Sequence, residues 1–411
     1  MVSENKQEID TSKTEVFDIT KLPSMNVGVV GHIDHGKTTL LSKLTGKWTD
    51  THSEELKRGI TIKLGYADAI IRKGKEGFNI KEGEAIRYVS FVDAPGHEML
   101  MATMLSGAAM IDAAILVIAA NEGIKPQTKE HLMALQAKNI RNIIIVQNKI
   151  DLVSKEEALK NYKVIKEFVK GTLAENSPVI PCSAQQEVNI DKILEELTKV
   201  ALPERDMASE PLFVVARSFD INRPGSHIEG LKGGVLGGAL KKGKLKAGDE
   251  IEIKPGVSYK KENQLVYETV KTKILGVYQG SYKIQEAVPG GSLAIETELD
   301  PMLTKADNLA GCVLGLKGKL PEITDRVKVK FNLFKEVLGL SENRKVEDIK
   351  MTEMLLLSIN TSVTIGVVRK IQENEIELHL RIPIVGFKGE NVGLARNVEG
   401  HWRLVGWGEI I

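Results

Sequence analysis

Short apolar runs alternate with longer segments of helical periodicity from Pro23 to about Leu202. This alternation is typical of a doubly wound, mostly parallel sheet with helices on its faces. The predicted strands occupy residues 27–30, 66–71, 88–92, 114–119, 143–147 and 179–181. Residues 73–84 form a polar, glycine-containing connection between the second and third strands, which we expect to be an exposed loop. Ligands of such sheets bind beyond the carboxyl ends of the strands, so the residues after each strand are candidates for a site.

The pattern changes near Leu202, where the helical segments end. From Phe213 onward short apolar runs alternate with glycine-containing turns, which predicts an all-β barrel, and a second β-rich unit follows Leu320. The predicted strands of these two parts are 213–219, 233–240, 250–253, 266–277 and 292–295, then 327–333, 354–359, 364–370, 375–380 and 402–407. We therefore expect a flexible N-terminal tail over residues 1–21, an α/β domain over 22–204, and β-barrel domains over 205–320 and 321–411.

The composition disfavours a disulfide-rich protein, a four-cysteine zinc protein and a membrane protein. The 411 residues are 42% hydrophobic, which is enough for several cores, and the formal net charge of +1 gives no global basic field for nucleic acid. The two cysteines, Cys182 and Cys312, form neither a disulfide framework nor a four-cysteine zinc site. The longest aliphatic run, 113–120, is too short to span a bilayer, and the N-terminus has no apolar signal core. These features predict a cytoplasmic protein without a membrane partner.

The first predicted strand leads directly into a glycine-rich loop. Residues 31–38 match the phosphate-binding pattern G-x-x-x-x-G-K-[ST], and an apolar-faced helix follows them. The glycines Gly31 and Gly36 let successive N–H groups and a helix N-terminus converge on phosphate oxygens. We expect Lys37 on the β- and γ-phosphates and the Thr38 hydroxyl on Mg²⁺. The alternative is an ordinary glycine-rich turn, which the strand, the lysine and the threonine together disfavour.

Two further segments, around Thr61 and from Asp93 to Gly96, contain residues that can contact Mg²⁺ or the γ-phosphate. Asp93 follows the third strand and begins Asp-x-x-Gly; its carboxylate can hold a Mg²⁺-bound water, and the Gly96 N–H can reach the γ-phosphate. Thr61 follows a flexible glycine and can reach Mg²⁺ only when that phosphate is present, although Glu54 to Arg58 can equally form a charged surface helix. His97 is either an exposed loop imidazole or, as we favour, the group that orients the attacking water.

The fifth and sixth strands end in residues suited to guanine. In Asn148-Lys149-Ile150-Asp151 the carboxylate of Asp151 can accept two hydrogen bonds from the guanine ring N–H and its exocyclic amine, while the Lys149 stem covers the base. In Ser183-Ala184-Gln185 a backbone N–H can reach the guanine carbonyl. Each short pattern is weak alone, but four in order at strand ends predict a switch that binds GTP and GDP.

The predicted site is therefore extensive. The predicted nucleotide-binding residues are Asp34, His35, Gly36, Lys37, Thr38, Thr39, Gly96, Asn148, Lys149, Asp151, Ser183, Ala184 and Gln185. The predicted Mg²⁺ residues are Thr38, Thr61, Asp34 and Asp93, and the predicted catalytic residue is His97. The motifs contain no arginine that could act as an intrinsic finger, so we expect slow unaided hydrolysis.

Longer runs carry a family resemblance from about Asn26 to the C-terminus. These runs are residues 31–38, 53–66, 93–98, 101–108, 217–225, 231–238 and 303–308. With them the chain resembles the translational GTPases and, within them, the gamma subunits of the archaeal and eukaryotic initiation factor two. The resemblance implies a P-loop GTPase domain followed by two β-barrels, a heterotrimer with alpha and beta subunits, and delivery of methionylated initiator tRNA to the small ribosomal subunit.

The chain departs from many members of this family at the segment before the Asp-x-x-Gly strand. Many family members carry a four-cysteine zinc knuckle before the Asp-x-x-Gly strand, but residues 72–87 contain no Cys or His, so no zinc site is expected. By resemblance Tyr66 borders the pocket for the aminoacyl end of tRNA, while a packed strand aromatic is the other interpretation. The alternative functions are an elongation-type factor for elongator tRNAs, a metabolic GTPase subunit similar to those of sulfate activation, and a scaffold with a dead nucleotide site.

Overall fold

The computed structural model describes residues 18–47, 65–93, 110–222, 225, 227, 231–262, 264–337 and 344–411. The first part contains β1 (Ser24–Gly31), α1 (Lys37–Thr45), β2 (Gly65–Gly74), β3 (Gly77–Asn79), β4 (Glu84–Asp93), β5 (Ala113–Ala119), α2 (Pro126–Ala137), β6 (Asn142–Asn148), α3 (Lys155–Phe168), β7 (Val179–Pro181) and α4 (Ile190–Lys199). Short 3₁₀ helices occur at Ile19–Lys21, Ile150–Leu152 and Lys305–Asp307. Within these residues no helix is both long and apolar enough to span a bilayer.

The remaining elements are mainly strands. The second part contains β8 (Leu212–Phe219), β9 (Val235–Lys242), β10 (Leu245–Lys246), β11 (Glu250–Lys261), β12 (Gln264–Gln279), β13 (Tyr282–Ile284), β14 (Glu286–Ala287), β15 (Leu293–Thr297), α5 (Pro301–Thr304) and β16 (Val313–Leu316). The third part contains β17 (Ile323–Leu333), β18 (Glu336–Val337), β19 (Arg344–Lys345), β20 (Met354–Ile359), β21 (Ser362–Gln372), β22 (Glu375–Val385), β23 (Asn391–Val398) and β24 (His401–Ile410).

The first part is a seven-stranded sheet in the order β3-β2-β4-β1-β5-β6-β7. The strands β4, β1, β5, β6 and β7 are parallel, so their carboxyl ends share one edge. Strand β1 is buried on both faces: Val27 and Val29 pack in the cluster that contains Leu40 of α1, and Val30 packs in the cluster that contains Leu132 of α2. This burial explains the unbroken apolar run in the sequence. The prediction of a doubly wound, mostly parallel sheet is confirmed.

Two details of this part differ from the sequence-based expectation. The connection 73–84 is not simply a loop, because β3 pairs antiparallel with β2 inside it and β4 already begins at Glu84. The expected tail also ends earlier, because Ile19 is 3% exposed and packs with Tyr88 against the second part of the chain. In both places a tertiary contact orders a segment whose local sequence is polar.

The second part closes into a six-stranded barrel, here called the first barrel. Its strands follow the order β8-β9-β15-β12-β11-β16, with β16 pairing back onto β8 and β13 added at the edge of β12. Its core is apolar and includes Phe213, Leu236, Ile251, Val277 and Ile295. The sequence did not predict β16, which is only four residues long.

The third part is a second closed barrel of six strands, in the order β17-β22-β21-β20-β23-β24. Strand β23 was missed in the sequence, although it pairs with both β20 and β24 and so closes the barrel. Closed barrels leave no unpaired strand edge in the sheet, which suits domains that must meet other molecules through side chains. The prediction of two all-β barrels is confirmed.

The first barrel contacts the first sheet and the second barrel contacts helix α2, with polar contacts in both interfaces and one apolar cluster that spans all three parts. The N–H of Ser292 in the first barrel donates to Ser90 Oγ on β4 at 2.9 Å, and the Ser292 hydroxyl donates to Asn26 Oδ1 on β1 at 3.0 Å. The second barrel packs through β23 and β24 against helix α2, where Arg403 contacts Glu130 at 2.8 Å. The first barrel is therefore held by strands β1 and β4, and the second barrel by helix α2.

The core of the first barrel provides a test of the packing. Phe213→Ala should lower the free energy of unfolding by about 3–5 kcal/mol, because a fully buried ring is replaced by a cavity. The matched control is Leu265→Ala on the same barrel, a side chain that is 52% exposed, with an expected change within about 0.5 kcal/mol. Urea unfolding followed by circular dichroism measures both, and equal losses in the two variants would contradict the assignment of the core.

Candidate functional site

The loop between β1 and α1 is shaped by its two glycines. Gly31 has φ +143° and a Cβ there would lie 2.3 Å from Val117 O, while Gly36 has φ +86° and forms the left-handed N-cap of α1. A side chain is therefore disfavoured at both positions. Lys37, the first residue of α1, is buried and donates from Nζ to His32 O at 2.8 Å. The ammonium thus contacts the loop, beside the N-terminus of helix α1.

The end of β4 meets the start of α1. Thr38 Oγ1 donates to Asp93 Oδ2 at 3.0 Å, and Asp93 is fully buried as the last residue of β4. Strand β4 pairs in parallel with β1, with Val29 opposite Asp93, which explains why residues 55 positions apart meet. The arrangement places a hydroxyl and a carboxylate, two oxygen ligands of the kind that hard divalent cations prefer, at the mouth of the loop.

Asn148 braces two loops with one amide. Its Nδ2 donates to His35 O in the glycine-rich loop at 2.9 Å, and its Oδ1 accepts from the Ala184 N–H at 3.0 Å. Asn148 is the last residue of β6 and is 2% exposed. The contact is so close that a Cβ on Gly36 would lie 2.5 Å from the same Nδ2. Asn148 therefore fixes the distance between the phosphate loop and the loop after β7.

The residues after Asn148 turn toward solvent. Lys149 has φ +60° and its Nζ lies 3.4 Å from Glu122 Oε1, which follows the end of β5. Asp151 lies in the 3₁₀ helix Ile150–Leu152 and is exposed, and the N–H of Ile150 donates to Cys182 O at 3.2 Å. The carboxylate of Asp151 is therefore accessible to a ligand, while its backbone is fixed to the end of β7.

The loop after β7 is ordered by its own hydrogen bonds. Ser183 and Ala184 are buried, whereas Gln185 is exposed. Ser183 Oγ accepts from the Gln186 N–H at 3.1 Å, and the Ala184 N–H is used by Asn148. The loop thus lies beside Asn148 and Asp151, at the same edge as the phosphate loop.

Burial keeps the imidazoles around the loop neutral. Burial lowers the pKa of His35 to about 4 and that of His131 to about 3. The neutral His131 can accept a hydrogen bond, and its Nδ1 receives the Gly31 N–H at 2.8 Å. His35 Nδ1 lies 3.2 Å from Val117 O, and its Nε2 lies 4.0 Å from a carboxylate oxygen of Glu122. At neutral pH these two imidazoles therefore add no positive charge to that of Lys37.

The predicted site residues fall into two groups. The structure brings together at one sheet edge Asp34, His35, Gly36, Lys37, Thr38, Thr39, Asp93, Asn148, Lys149, Asp151, Ser183, Ala184 and Gln185. Asp34 is exposed at the tip of the loop with φ +60°. Thr61, Gly96 and His97 lie outside the described residues, and their predicted roles stay predictions.

Sequence reasoning missed Glu122 and His131. Glu122 could have been found, because it follows the carboxyl end of β5 and the edge rule directs attention to such positions. His131 lies in the middle of α2, and nothing in the local sequence of that helix distinguishes it from a core residue. Only the packing of α2 on β1 reveals that it holds Gly31.

Tyr66 borders a cavity between β2 and the first barrel. The cavity has a volume of about 190 Å³, and its lining includes Asp68, Arg217, Phe219 and Ala294. The Tyr66 hydroxyl is buried without a hydrogen-bond partner among the described residues, and burial raises its pKa above the ordinary value. Tyr66 therefore lies beside a space that a ligand group can enter, and its role at the aminoacyl end of tRNA stays a prediction.

Comparisons with known proteins agree along the whole chain. Residues 22–203 match the family model of the elongation factor Tu GTP binding domain, and residues 325–410 match that of initiation factor eIF2 gamma, C terminal. Translation initiation factor 2 subunit gamma of Archaeoglobus fulgidus is 52% identical over 404 residues, which cover 95% of each chain. The protein of the same name from Pyrococcus horikoshii is 50% identical over 403 residues, covering 95% of this chain and 98% of that protein.

Solved structures show the same fold at lower identity. A bacterial selenocysteine-specific elongation factor EF-Sec superposes with a TM-score of 0.75 at 23% identity, over 94% of this chain and 58% of that longer chain. Elongation factor SelB from Methanococcus maripaludis, solved with the GTP analogue GppNHp, has a TM-score of 0.72 at 23% identity, over 95% of this chain and 79% of that one. With these relatives, the chain belongs to the family of translation initiation factor 2 gamma subunits and is a GTPase whose GTP-binding domain is of the elongation factor Tu type.

Proposed function

We propose that the chain is a GTP-dependent switch that binds methionylated initiator tRNA and delivers it to the small ribosomal subunit. One observation carries the nucleotide part of the proposal: parallel strands place the phosphate loop, Asp93, Asn148 and the loop after β7 at one edge. Two of these groups already lie 3.0 Å apart, Thr38 and Asp93. Membership of the gamma-subunit family supports initiator tRNA as the cargo, rather than elongator tRNA.

The base of the nucleotide is assigned to Asp151 and its neighbours. The exposed carboxylate of Asp151 accepts from the ring N–H and the exocyclic amine of guanine, and adenine offers no such pair of donors. The aliphatic stem of Lys149 is assigned to one face of the base, and a backbone N–H of the 183–185 loop to its carbonyl. Asn148 acts through both loops, since its amide is bonded to each of them.

The phosphates and Mg²⁺ are assigned to the mouth of the loop. The residues present fit the ion, because the Thr38 hydroxyl and the Asp93 carboxylate face each other and are both oxygen ligands. Asp34 and Thr61 are the further residues proposed for the metal. When bound, Mg²⁺ neutralises phosphate charge. Lys37 and the N-terminus of α1 hold the β- and γ-phosphates, and the Gly96 N–H contacts the γ-phosphate.

Hydrolysis is the proposed trigger for release. His97 orients the attacking water, and loss of the γ-phosphate frees Thr61 and Gly96 from their contacts, so that the two segments relax. Hydrolysis can release the initiator tRNA only if the tRNA binds the GTP form more tightly than the GDP form. A ligand with equal affinity for two states does not shift the equilibrium between them.

The partners follow from the same reasoning. We assign the methionylated end of the tRNA to the cavity of about 190 Å³ that Tyr66 borders between β2 and the first barrel. The remaining proposed partners are the alpha and beta subunits of the same factor, in the cytoplasm. No zinc site is proposed for the connection between β2 and β4, since residues 72–87 hold no Cys or His.

The base assignment is tested by Asp151→Asn. The amide keeps one acceptor oxygen and replaces the other with an NH2 donor, which opposes the guanine amine and suits the second carbonyl of xanthine. GTP binding should therefore weaken by at least about tenfold, while xanthosine triphosphate should gain affinity. Competition between the two nucleotides for the purified chain measures this shift. The control is Asp191→Asn in α4, whose carboxylate pairs with Lys192 at 3.6 Å; it should leave both affinities unchanged. An unchanged preference in Asp151→Asn would refute the assignment.

The chain alone should hydrolyse GTP slowly. An arginine finger supplied by an activator accelerates GTPases by about 10³–10⁵-fold, and the nucleotide motifs of this chain supply none. A single-turnover assay with excess purified chain measures the rate directly, with Lys37→Ala as the blank. Rapid hydrolysis by the isolated chain would contradict the need for an activator.

The cargo is tested by protection of the ester bond of methionylated initiator tRNA. We expect the chain with a GTP analogue to slow spontaneous hydrolysis of this ester and the chain with GDP to protect far less, because only the GTP form orders the switch segments. The assay is run with and without an alpha subunit, and with an elongator aminoacyl-tRNA as the control. Equal protection of both tRNAs would favour an elongation-type factor, and no protection would exclude tRNA as the cargo.

A further inference from the structure

Helix α2 links the second barrel to the phosphate loop through two adjacent residues. Glu130 forms an ion pair with Arg403 of β24 at 2.8 Å, and the next residue, His131, accepts the Gly31 N–H at 2.8 Å. Glu130 is 0% exposed, His131 is 3% exposed and Arg403 is 5% exposed. A buried ion pair between domains and a buried hydrogen bond to the loop thus share one turn of a helix.

The ion pair fixes α2 more strictly than apolar packing can. A planar guanidinium donates in fixed directions, and breaking a buried ion pair by removing or displacing one partner is costly. Barrel and helix can therefore not slide along each other without a large cost. The helix end has a second tie to the same barrel, because Lys138 Nζ donates to Ser358 O at 3.1 Å.

The hydrogen bond of His131 in turn fixes the start of the loop. Gly31 is the last residue of β1 and the first of the loop, and its N–H donates to His131 Nδ1, so the imidazole holds the point where the chain leaves the sheet. Burial holds His131 neutral, which leaves Nδ1 available as an acceptor. A buried N–H without its acceptor costs free energy, so a displaced His131 would draw the loop with it.

We propose that Arg403 is a positioning residue for the nucleotide: through Glu130 it holds helix α2, and through His131 that helix holds Gly31 in the geometry that binds phosphate. The second barrel then contributes to nucleotide retention without touching the nucleotide. The inference rests on the proposed binding of guanine nucleotide by residues 31–38. It predicts that release of GDP depends on a contact made by a domain that lies outside the GTP-binding domain.

The first test compares two variants of His131 that differ only in the acceptor. In His131→Asn the side-chain oxygen can take the place of Nδ1, so release of a fluorescent GDP analogue should stay within about twofold of the wild-type rate. In His131→Leu, of similar volume but without an acceptor, release should accelerate by about 3- to 10-fold, as for the loss of one hydrogen bond. Equal rates for the two variants would overturn the role of His131.

The second test is a double-mutant cycle with stopped-flow release of the same analogue. Glu130→Leu with Arg403→Met removes both charges and keeps the interface apolar, a replacement that folded proteins tolerate. We expect this change to accelerate release by about 3- to 10-fold in the wild-type background and to have no further effect in His131→Leu, because the two sites act in series. Equal effects in both backgrounds, or none in the wild type, would overturn the proposal.

Two further variants distinguish a specific role of Arg403 from an effect of the whole contact between the second barrel and α2. Lys138→Met cuts the other tie between α2 and the barrel, about two helical turns from His131, and should leave release within about twofold. Acceleration equal to that of the pair variant would show that docking as a whole, and not Arg403, is responsible. If the pair variant does not fold, Arg403→Lys, which lacks the forked donor geometry, replaces it; wild-type release in this variant would overturn the proposal.

The same data distinguish this inference from the proposed function. If the wild-type chain binds no guanine nucleotide, both are wrong. If the wild-type chain binds and releases GDP while none of the variants alters release, only the role of Arg403 is wrong.

Discussion

The side-chain amide of Asn148 is the constraint on which the geometry of the site depends. Parallel pairing brings the ends of β1, β6 and β7 to one edge, but the loops beyond those ends have no ladder to fix them. The amide supplies that constraint, since it donates to the phosphate loop and accepts from the loop after β7. The amide also gives a second reason, besides the positive φ, why residue 36 is glycine. A Cβ at this position would lie 2.5 Å from the amide nitrogen of Asn148.

Burial keeps the two histidines next to the phosphate loop uncharged. Two imidazoles lie against the loop, and the low pKa that burial gives His35 and His131 keeps both uncharged over the physiological range. Neutral rings can accept hydrogen bonds, and His131 uses this capacity to hold the loop. Lys37 then places a cation at the N-terminus of α1, where the positive end of the helix dipole also favours an anion. Structure and charge thus direct phosphate to one place.

The sequence predicted the parts of the fold that have strong local signals. The buried strands β1, β5 and β6 are continuous apolar runs, and the phosphate loop has a spacing that few other structures use. The closing strands β16 and β23 were missed, because each interrupts its apolar positions with glycine or polar residues and is stabilised by its neighbours in the barrel. For the same reason β3 and the burial of Ile19 could not be predicted. Contacts such as His131 with Gly31 join residues 100 positions apart and leave no local trace.

The elements that contact the barrels are also elements that form or hold the candidate site. Strands β1 and β4 end in the phosphate loop and in Asp93, and the same two strands hold the first barrel through Asn26, Ser90 and Ser292. Helix α2, which holds the start of the loop, is the element that carries the second barrel. Coupling between distant sites needs elements that both sites contact, and here each barrel shares such an element with the loop. Each barrel thus contacts an element that also contacts the phosphate loop, so the proposed switch has a packed element through which it can act on each barrel.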